Sequence, residues 1–327
     1  MSPLISIKDL RVAFYGVPVV RGFDLAFGKG EALGLVGESG SGKSVTWLAA
    51  LGLLPRNARV AGSVRLDGRE ILGAPAVELD RIRGGRVAMI FQDPASALNP
   101  VLTIRRQLCE SLALHRDLSG GAVKAEARRL LDLVGIPDAA RRLEAYPHEF
   151  SGGQVQRIMI AMALAGNPDL LIADEPTTAL DATIQAQILE LLSTIRREMS
   201  MAMVLISHDL GVVAENCDRV AVMYAGRIVE EAPSNQLFAD PFHPYAQGLI
   251  GALPPLDGPR RRLTAIPGTV PDPAKMPSGC AFAPRCTLAA ESCGLAAPTL
   301  APIANDRSVA CIRAEASRRA LLGIAAE

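Results

Sequence analysis

The sequence predicts an α/β fold with a largely parallel sheet, followed by a small region rich in proline and cysteine. Short apolar runs alternate with stretches of helical periodicity, a pattern typical of parallel strands joined by helices. A Gly/Ser-rich loop lies between an apolar run and a helical stretch near residue 40. Beyond about residue 238 prolines become dense, which excludes long regular elements there.

The elements of the first region follow from local patterns. Residues 1–16 predict a strand that contains Lys8, Asp9 and Arg11, not a signal peptide. Residues 31–36 form a short apolar run and are expected to be a strand. The loop that follows them leads into a helix expected from residue 43 to about residue 54.

The rest of the α/β region is first helical and then alternating. Between about residues 95 and 165, apolar positions recur at helical spacing, clearest in two expected helices. From about residue 168 strands and helices alternate again, and a short helix closes the chain. The expected helices cover residues 103–114, 121–134, 183–199 and 312 to about 322, and the strands 170–173, 202–206, 219–224 and 227–230.

Composition limits the function. With 49% hydrophobic and 21% charged residues, the chain of 327 residues is typical of a globular protein. Lys and Arg together number 34, as do Asp and Glu, which argues against nucleic-acid binding through a general basic surface. No stretch approaches the roughly 18–20 apolar residues that span a bilayer, so the chain is expected to stay in the cytoplasm.

Residues 37–44 match the phosphate-binding pattern GxxxxGK[ST]. Glycines let the backbone N–H groups approach phosphates, Lys43 supplies positive charge, and Ser44 offers a hydroxyl to Mg²⁺. A plain Gly/Ser turn is the alternative, but the preceding strand and following helix favour the phosphate loop. The candidate ATP-binding residues are Gly37, Glu38, Ser39, Gly40, Ser41, Gly42, Lys43 and Ser44.

A phosphate loop needs a carboxylate from a neighbouring strand to hold Mg²⁺. The apolar residues 170–173 are followed by Asp174 and Glu175. Asp174 is the candidate magnesium residue, and Glu175 is the candidate base that polarises the attacking water. By themselves two acids after a strand are weak evidence, and the phosphate loop upstream strengthens them.

Between these two motifs, about twenty residues before Asp174, lies Ser-Gly-Gly-Gln at residues 151–154. It resembles the signature motif of ABC ATPases, although Phe150 stands where the family usually has Leu. Ser151 is suited to cap the following helix, and the glycines leave N–H groups bare at its start. The resemblance implies a second phosphate site that acts on the partner subunit's ATP, with residues Ser151, Gly152, Gly153 and Gln154.

Four further residues resemble ABC family marks in the expected order. Gln92 resembles the glutamine that touches Mg²⁺ and water, and His208 resembles the switch histidine at the γ-phosphate. Asp181, in the stretch 179–181, resembles the loop that communicates across the dimer. Tyr15 resembles the aromatic residue that stacks on adenine, although Phe14 is adjacent.

The resemblance covers about residues 4–240 and implies a P-loop NTPase nucleotide-binding domain of the ABC type. Such a domain has a parallel-sheet core, an antiparallel β subdomain and a helical signature subdomain, here at about 95–165. The implied ATPase domain covers residues 1–240, and residues 241–327 form a small Cys/Pro-rich C-terminal domain.

The resemblance also implies an ATPase that works at the cytoplasmic face of the inner membrane as a peripheral subunit. Two chains would dimerise head to tail, each phosphate loop facing the partner's signature. The expected partners are a second, related ABC ATPase in a heterodimer, two permease subunits and an extracytoplasmic substrate-binding protein, with no nucleic acid.

Three further stretches, at 91–100, 243–245 and 266–286, resemble the oligopeptide and dipeptide importers of the family. Similar tails occur in nickel, opine and glutathione importers, so peptide uptake is the expected function and these cargoes stay open. A non-transport ABC ATPase usually carries two fused halves or a long coiled coil, and this sequence shows neither. The separate chain and the import-type tail argue against an exporter motor.

Cys280, Cys286, Cys293 and Cys311 fall in the last fifth of the chain, with five, six and seventeen residues between them. A cytoplasmic cluster favours metal binding over disulfides, and this spacing differs from paired zinc knuckles. The resemblance to the peptide-import branch implies a four-iron, four-sulfur cluster, with Zn²⁺ and unligated thiols as alternatives. Cys109 and Cys217 are expected to be core residues.

Overall fold

The computed structural model describes residues 2–93, 97–178, 180–253, 265–304 and 306–321. Parts of the sequence patterns lie outside these ranges, among them residues 94–96 of the stretch 91–100, residue 179 of the stretch 179–181 and the end of the expected last helix near residue 322. The chain divides into two compact units. The first unit comprises Met1–Phe27, Ala32–Leu72 and Ser207–Glu327, and the second comprises Gly28–Glu31 and Gly73–Ile206.

The strands of the described residues, in chain order, are β1 Ile5–Phe14, β2 Val17–Phe27, β3 Ala32–Val36, β4 Ala58–Leu66, β5 Arg69–Glu70, β6 Val87–Ile90, β7 Leu170–Asp174, β8 Ala202–Ile206, β9 Arg219–Tyr224, β10 Arg227–Pro233, β11 Ala301–Ala304 and β12 Arg307–Val309.

The α-helices of the same residues are α1 Lys43–Ala50, α2 Ala76–Ile82, α3 Ile104–His115, α4 Gly121–Leu133, α5 Ala139–Arg142, α6 Gly152–Leu164, α7 Ala182–Met199, α8 Leu210–Asn216, α9 Ser234–Ala239, α10 Pro244–Gly251 and α11 Ala314–Leu321. Short 3₁₀ turns cover Pro147–Glu149, Pro273–Lys275, Ala283–Arg285 and Glu291–Gly294.

The first unit contains two groups of paired strands. In one group β2, β1, β4 and β5 pair in that order, all antiparallel. In the other, β3 pairs in parallel with β9, and β9, β10, β12 and β11 continue as antiparallel neighbours. The C-terminal strands β11 and β12 therefore belong to the same group of paired strands as β3, the strand before the phosphate loop.

The second unit carries β6, β7 and β8 as parallel neighbours, with β7 in the centre. Every residue of β7 and β8 is buried. Continuous apolar runs are typical of parallel strands with both faces covered, because no face is left for alternating polar residues. The sequence pattern that predicted these strands therefore follows directly from their burial.

Most element bounds agree with the sequence patterns, and the differences have local causes. Helix α1 ends at Ala50 and not near residue 54, because Gly52 adopts a left-handed φ of 62° and Pro55 follows. Strand β10 continues past Glu230 to Pro233, since its pairing with β9 runs on to Arg219. Among the residues that the structure describes, no helix combines the length and apolar character needed to cross a membrane.

Candidate nucleotide site

The phosphate loop lies between the end of β3 and the start of α1 in the first unit. Gly37 has a φ of 151°, and a Cβ atom at this position would lie 2.1 Å from the carbonyl oxygen of Met223. Gly42 precedes the helix with a left-handed φ of 100°. The backbone path therefore requires glycine at residue 37, for reasons of space as well as conformation.

The Lys43 amine lies over the loop that precedes it. Its Nζ donates hydrogen bonds to the carbonyl oxygens of Gly37 and Glu38, at 2.7 and 3.1 Å. A third contact, at 3.4 Å, joins it to Ser41 Oγ. The predicted cation thus sits within the loop that the sequence pattern assigned to phosphate binding.

Glu38 has neighbours that the sequence analysis did not assign to the site. Its carboxylate accepts two hydrogen bonds from Arg285, and its N–H donates to Tyr245 Oη at 2.8 Å. Both partners lie in stretches that the sequence analysis quoted only as marks of the peptide-import branch. The only sequence signal for Tyr245 and Arg285 was that they lie in these stretches, and no local pattern indicated a contact with Glu38.

The two acids lie at the end of β7 in the second unit. Asp174, the last residue of the strand, is 6% exposed. Glu175 has a left-handed φ of 47°, and its N–H donates to Ile206 at 2.9 Å. A positive φ in a residue other than glycine is strained, so the surrounding structure must hold Glu175 in this conformation.

The structure brings two predicted site residues of the second unit together. Gln92 Nε2 donates to Glu175 Oε2 at 2.8 Å. Thr178 Oγ1 donates to the same oxygen at 3.0 Å. Thr178 was missed by sequence reasoning, and its only signal is the position three residues after the predicted base. These two donors orient the carboxylate that we assigned to the attacking water.

The signature residues begin helix α6 as expected. Ser151 Oγ accepts from the Gln154 N–H at 3.4 Å, and the Gln154 side chain accepts from the Ser151 N–H at 3.2 Å, which forms a reciprocal cap. A Cβ on Gly153 would lie 2.8 Å from Ile184 Cγ2, so α6 passes close to α7. The guanidinium of Arg142 lies 5.0 Å from the centre of the Phe150 ring.

The start of α7 carries Asp181, whose Oδ1 accepts from the Ile184 N–H at 3.0 Å. Asp181 is therefore the cap of that helix. Ala179, in the same predicted motif, lies outside the described residues. The part of Asp181 in communication between subunits stays a prediction.

Tyr15 and His208 are both exposed residues of the first unit. Tyr15 is 86% exposed at the tip of the β1–β2 hairpin, where it and Gly16 have φ values of 51° and 83°. Two positive φ angles match a tight hairpin turn of type I′. His208 precedes Asp209, whose Oδ1 accepts from the N–H groups of Gly211 and Val212 at the start of α8.

The four tail cysteines are free thiols. Burial raises the pKa of the thiols of Cys280 and Cys286, and raises that of Cys311 to about 11. The Ala283 N–H donates to the Cys280 carbonyl oxygen at 3.1 Å. In the described part of the chain, no group of three or more His, Cys, Asp or Glu side chains is arranged to hold a metal ion.

Two protein families match this sequence. Residues 20–178 match the family described as ABC transporter. Residues 229–293 match the family described as oligopeptide/dipeptide transporter, C-terminal region. The matched ranges contain the phosphate loop and the residues around Glu175 in the first case, and three of the four tail cysteines in the second.

Curated relatives cover most of the chain. A putative peptide import ATP-binding protein of Brucella melitensis is 53% identical over 89% of this chain and 90% of its own length. The oligopeptide transport ATP-binding protein OppD of Escherichia coli is 48% identical over 95% of this chain and 93% of its own length.

Among solved structures, the dimeric ATP-binding cassette MJ0796 in a post-hydrolysis state bound to ADP and Pi is 27% identical, with a TM-score of 0.62. That match covers 70% of this chain and 98% of the other. ATPases of this type hydrolyse ATP with Mg²⁺. The ligands of this chain are therefore ATP and Mg²⁺. The chain belongs to the ABC transporter ATPases, in the branch that carries the oligopeptide/dipeptide transporter C-terminal region.

Proposed function

We propose that this chain is the ATP-hydrolysing subunit that drives uptake of di- and oligopeptides through an ABC importer. One observation carries the proposal: complete ATPase motifs and the C-terminal region of oligopeptide/dipeptide transporters occur in a single chain. The names of its relatives, which are peptide import and oligopeptide transport ATP-binding proteins, support the same cargo.

The site residues take the following roles in this proposal. Backbone N–H groups of the loop 37–44 and the Lys43 amine bind the phosphates, while the Glu38 N–H donates to Tyr245. Tyr15 stacks on adenine. Ser44, Gln92 and Asp174 hold Mg²⁺. Glu175 polarises the attacking water.

Residues of both chains complete each site. His208 reaches the γ-phosphate within its own chain, while the signature residues 151–154 bind the γ-phosphate held by the partner subunit. The reciprocal cap at Ser151 supports the second role, because it holds the start of α6 in a conformation that presents backbone N–H groups. Asp181 links the two sites.

The proposed assembly contains two related ATPase chains in a heterodimer, two permease subunits and an extracytoplasmic substrate-binding protein. The ATPases sit peripherally on the cytoplasmic face of the inner membrane. Residues 1–240 form the motor, with the signature subdomain at about 95–165, and residues 241–327 form the importer-type C-terminal domain. ATP binding closes the dimer, and hydrolysis reopens it.

Growth on peptides tests the cargo. A strain lacking this chain is supplied with di- and oligopeptides as the only amino-acid source, and is complemented with the wild type or with Glu175→Gln. We expect loss of growth that the wild type restores and the variant does not. Unaffected growth in a strain with no other peptide importer would contradict peptide uptake and direct the assay to nickel, opines and glutathione.

We also propose that the four tail cysteines hold a metal centre, a four-iron, four-sulfur cluster in preference to Zn²⁺. The Cys280 N–H donates to the Cys293 carbonyl oxygen at 2.8 Å, which brings two residues of the set together. The Cys311 sulfur also accepts from the Arg313 N–H at 3.4 Å. Such N–H groups stabilise thiolates, the form that binds metal.

Iron, acid-labile sulfide and zinc are measured on the full chain purified without oxygen. Iron and sulfide in equal amounts, lost in a Cys286→Ser variant, are expected. Zinc without iron and sulfide would identify a zinc site in place of the proposed cluster. The absence of iron, sulfide and zinc would refute a metal centre. Cys109→Ser serves as the control, because this thiol lies outside the tail.

A further inference from the structure

We infer that Arg285 of the C-terminal region is a positioning residue for the phosphate loop, and that it sets the affinity for ATP by holding Glu38. The inference rests on the proposed role of residues 37–44 in ATP binding. Both residues belong to the first unit, and 247 positions of the sequence separate them.

The contact between the two side chains is bidentate and largely shielded from water. Arg285 Nη1 and Nη2 donate to the two carboxylate oxygens of Glu38, at 2.8 and 3.0 Å. The Arg285 side chain is 6% exposed and that of Glu38 is 27% exposed. Paired parallel hydrogen bonds fix the orientation of both groups, which a single contact would not do.

Arg285 also donates hydrogen bonds to the backbone of a preceding segment of the C-terminal region. Its Nε donates to the carbonyl oxygen of Pro267 at 2.7 Å, and Nη2 donates to that of Gly268 at 3.3 Å. The guanidinium therefore bridges the chain before the cysteines and the phosphate loop. The acceptor Glu38 raises the pKa of Arg285, so the cation persists at any physiological pH.

Aromatic side chains surround this ion pair. The rings of Tyr224 and Phe282 lie 5.8 and 5.9 Å from the Arg285 guanidinium carbon. Tyr245 is fully buried, and its hydroxyl accepts from the Glu38 N–H at 2.8 Å. Glu38 is therefore held by hydrogen bonds at two points. Tyr245 accepts from its backbone N–H, and Arg285 donates to its carboxylate.

Two physical consequences favour a role in ATP binding. A loop restrained in its binding conformation avoids the loss of affinity that a partly populated conformation causes. A carboxylate within a loop that receives a polyphosphate also repels it, and the Arg285 cation offsets that charge. Arg285 is the last residue of the 3₁₀ turn Ala283–Arg285, directly before Cys286, so the cysteine-bearing segment determines where the guanidinium lies.

Binding of a fluorescent ATP analogue to the full chain, with Mg²⁺, tests this inference. The variants are Arg285→Ala and Arg285→Lys, with Arg318→Ala as a control. Arg318 is another C-terminal arginine that pairs with a carboxylate, that of Asp240 at 2.9 Å, and makes no described contact with the loop. Thermal unfolding of each variant measures its stability separately.

For Arg285→Ala we expect an increase in the dissociation constant of about tenfold, which corresponds to about 1.4 kcal/mol. Arg285→Lys keeps the charge but loses the bidentate geometry, so its affinity should fall between those of Arg285→Ala and the wild type. Arg318→Ala should bind the ATP analogue as tightly as the wild type does, even if its unfolding temperature falls as far as that of Arg285→Ala.

A double variant separates positioning from general damage. Adding Glu38→Gln to Arg285→Ala removes the uncompensated negative charge, and should recover part of the lost affinity. Equal affinities for Arg285→Ala, Arg318→Ala and wild type would overturn the inference, as would a double variant that binds no better than Arg285→Ala. Failure of the wild type to bind the analogue would instead refute the proposed ATP site.

Discussion

Gln92 Nε2 lies 2.8 Å from Glu175 Oε2, although 83 positions of the sequence separate the two residues. Thr178 donates to the same oxygen from a distance of 3.0 Å. Two neutral donors on one oxygen orient the carboxylate without cancelling its charge, which suits a group that accepts a proton from water. The effect of Glu175 and of Thr178 on ATP turnover can therefore be measured separately.

Glu175→Gln should abolish turnover and preserve ATP binding. The amide is isosteric and keeps an oxygen that can accept from Gln92, but it cannot take a proton from water. We expect the rate of phosphate release to fall at least about a hundredfold, within the usual range for removal of a general base. Phosphate release and binding of an ATP analogue are measured on the same preparation. Near-normal release would show that another group is the base.

Thr178→Val should lower turnover with little change in the KM for ATP. The substitution conserves shape and removes only the hydroxyl that orients Glu175 at 3.0 Å. Loss of one neutral hydrogen bond is equivalent to about 1 kcal/mol, or about a fivefold lower kcat. Thr178→Ser retains the hydroxyl and is the control. A threonine that only fills space would give two equally active variants.

Gly37→Ala should weaken ATP binding more than it weakens the fold. The added Cβ would lie 2.1 Å from the Met223 carbonyl oxygen, which is backbone and cannot rotate away. The loop must therefore leave its present path, and affinity for an ATP analogue should fall at least about tenfold. Gly251→Ala is the control, because nothing lies within 4 Å of its added Cβ. Similar ATP affinity in the two variants would show that the loop tolerates the displacement.

His243 should make the protein less stable as the pH falls. Burial lowers its pKa to about 3 from 6.5, and its Nδ1 accepts from the Tyr245 N–H at 3.0 Å. The unfolded chain therefore binds more protons between about pH 3 and pH 6.5, so stability rises with pH across that window. The slope that this histidine contributes is at most about 1.4 kcal/mol per pH unit.

Urea unfolding of wild type and His243→Gln at several pH values between 4 and 7.5 measures this contribution. Burial raises the pKa of nearby Glu230, whose effect has the opposite sign above its ordinary value of 4.5. Glu230 is present in both proteins, so the difference between their slopes isolates the histidine. The variant should have the shallower dependence, and parallel curves would mean that His243 binds protons equally in the folded and the unfolded state.

The sequence by itself determined the motifs whose chemistry is local. The phosphate loop at residues 37–44, the acids after β7 and the capped start of α6 each depend on neighbours within a few positions. Backbone conformation, helix caps and strand burial act over that range, so residue types at fixed spacing were sufficient. The same patterns identified the family, which the comparisons then confirmed.

Only the tertiary structure decided which distant side chains meet. Glu38 pairs with Arg285 across 247 positions, and Gln92 meets Glu175 across 83. These contacts depend on how strands pair and how the proline-rich C-terminal region returns toward the loop, and neither property has a local spacing in the sequence. Arg285 therefore looked like one residue of a cysteine-rich motif until the fold placed its guanidinium against the phosphate loop.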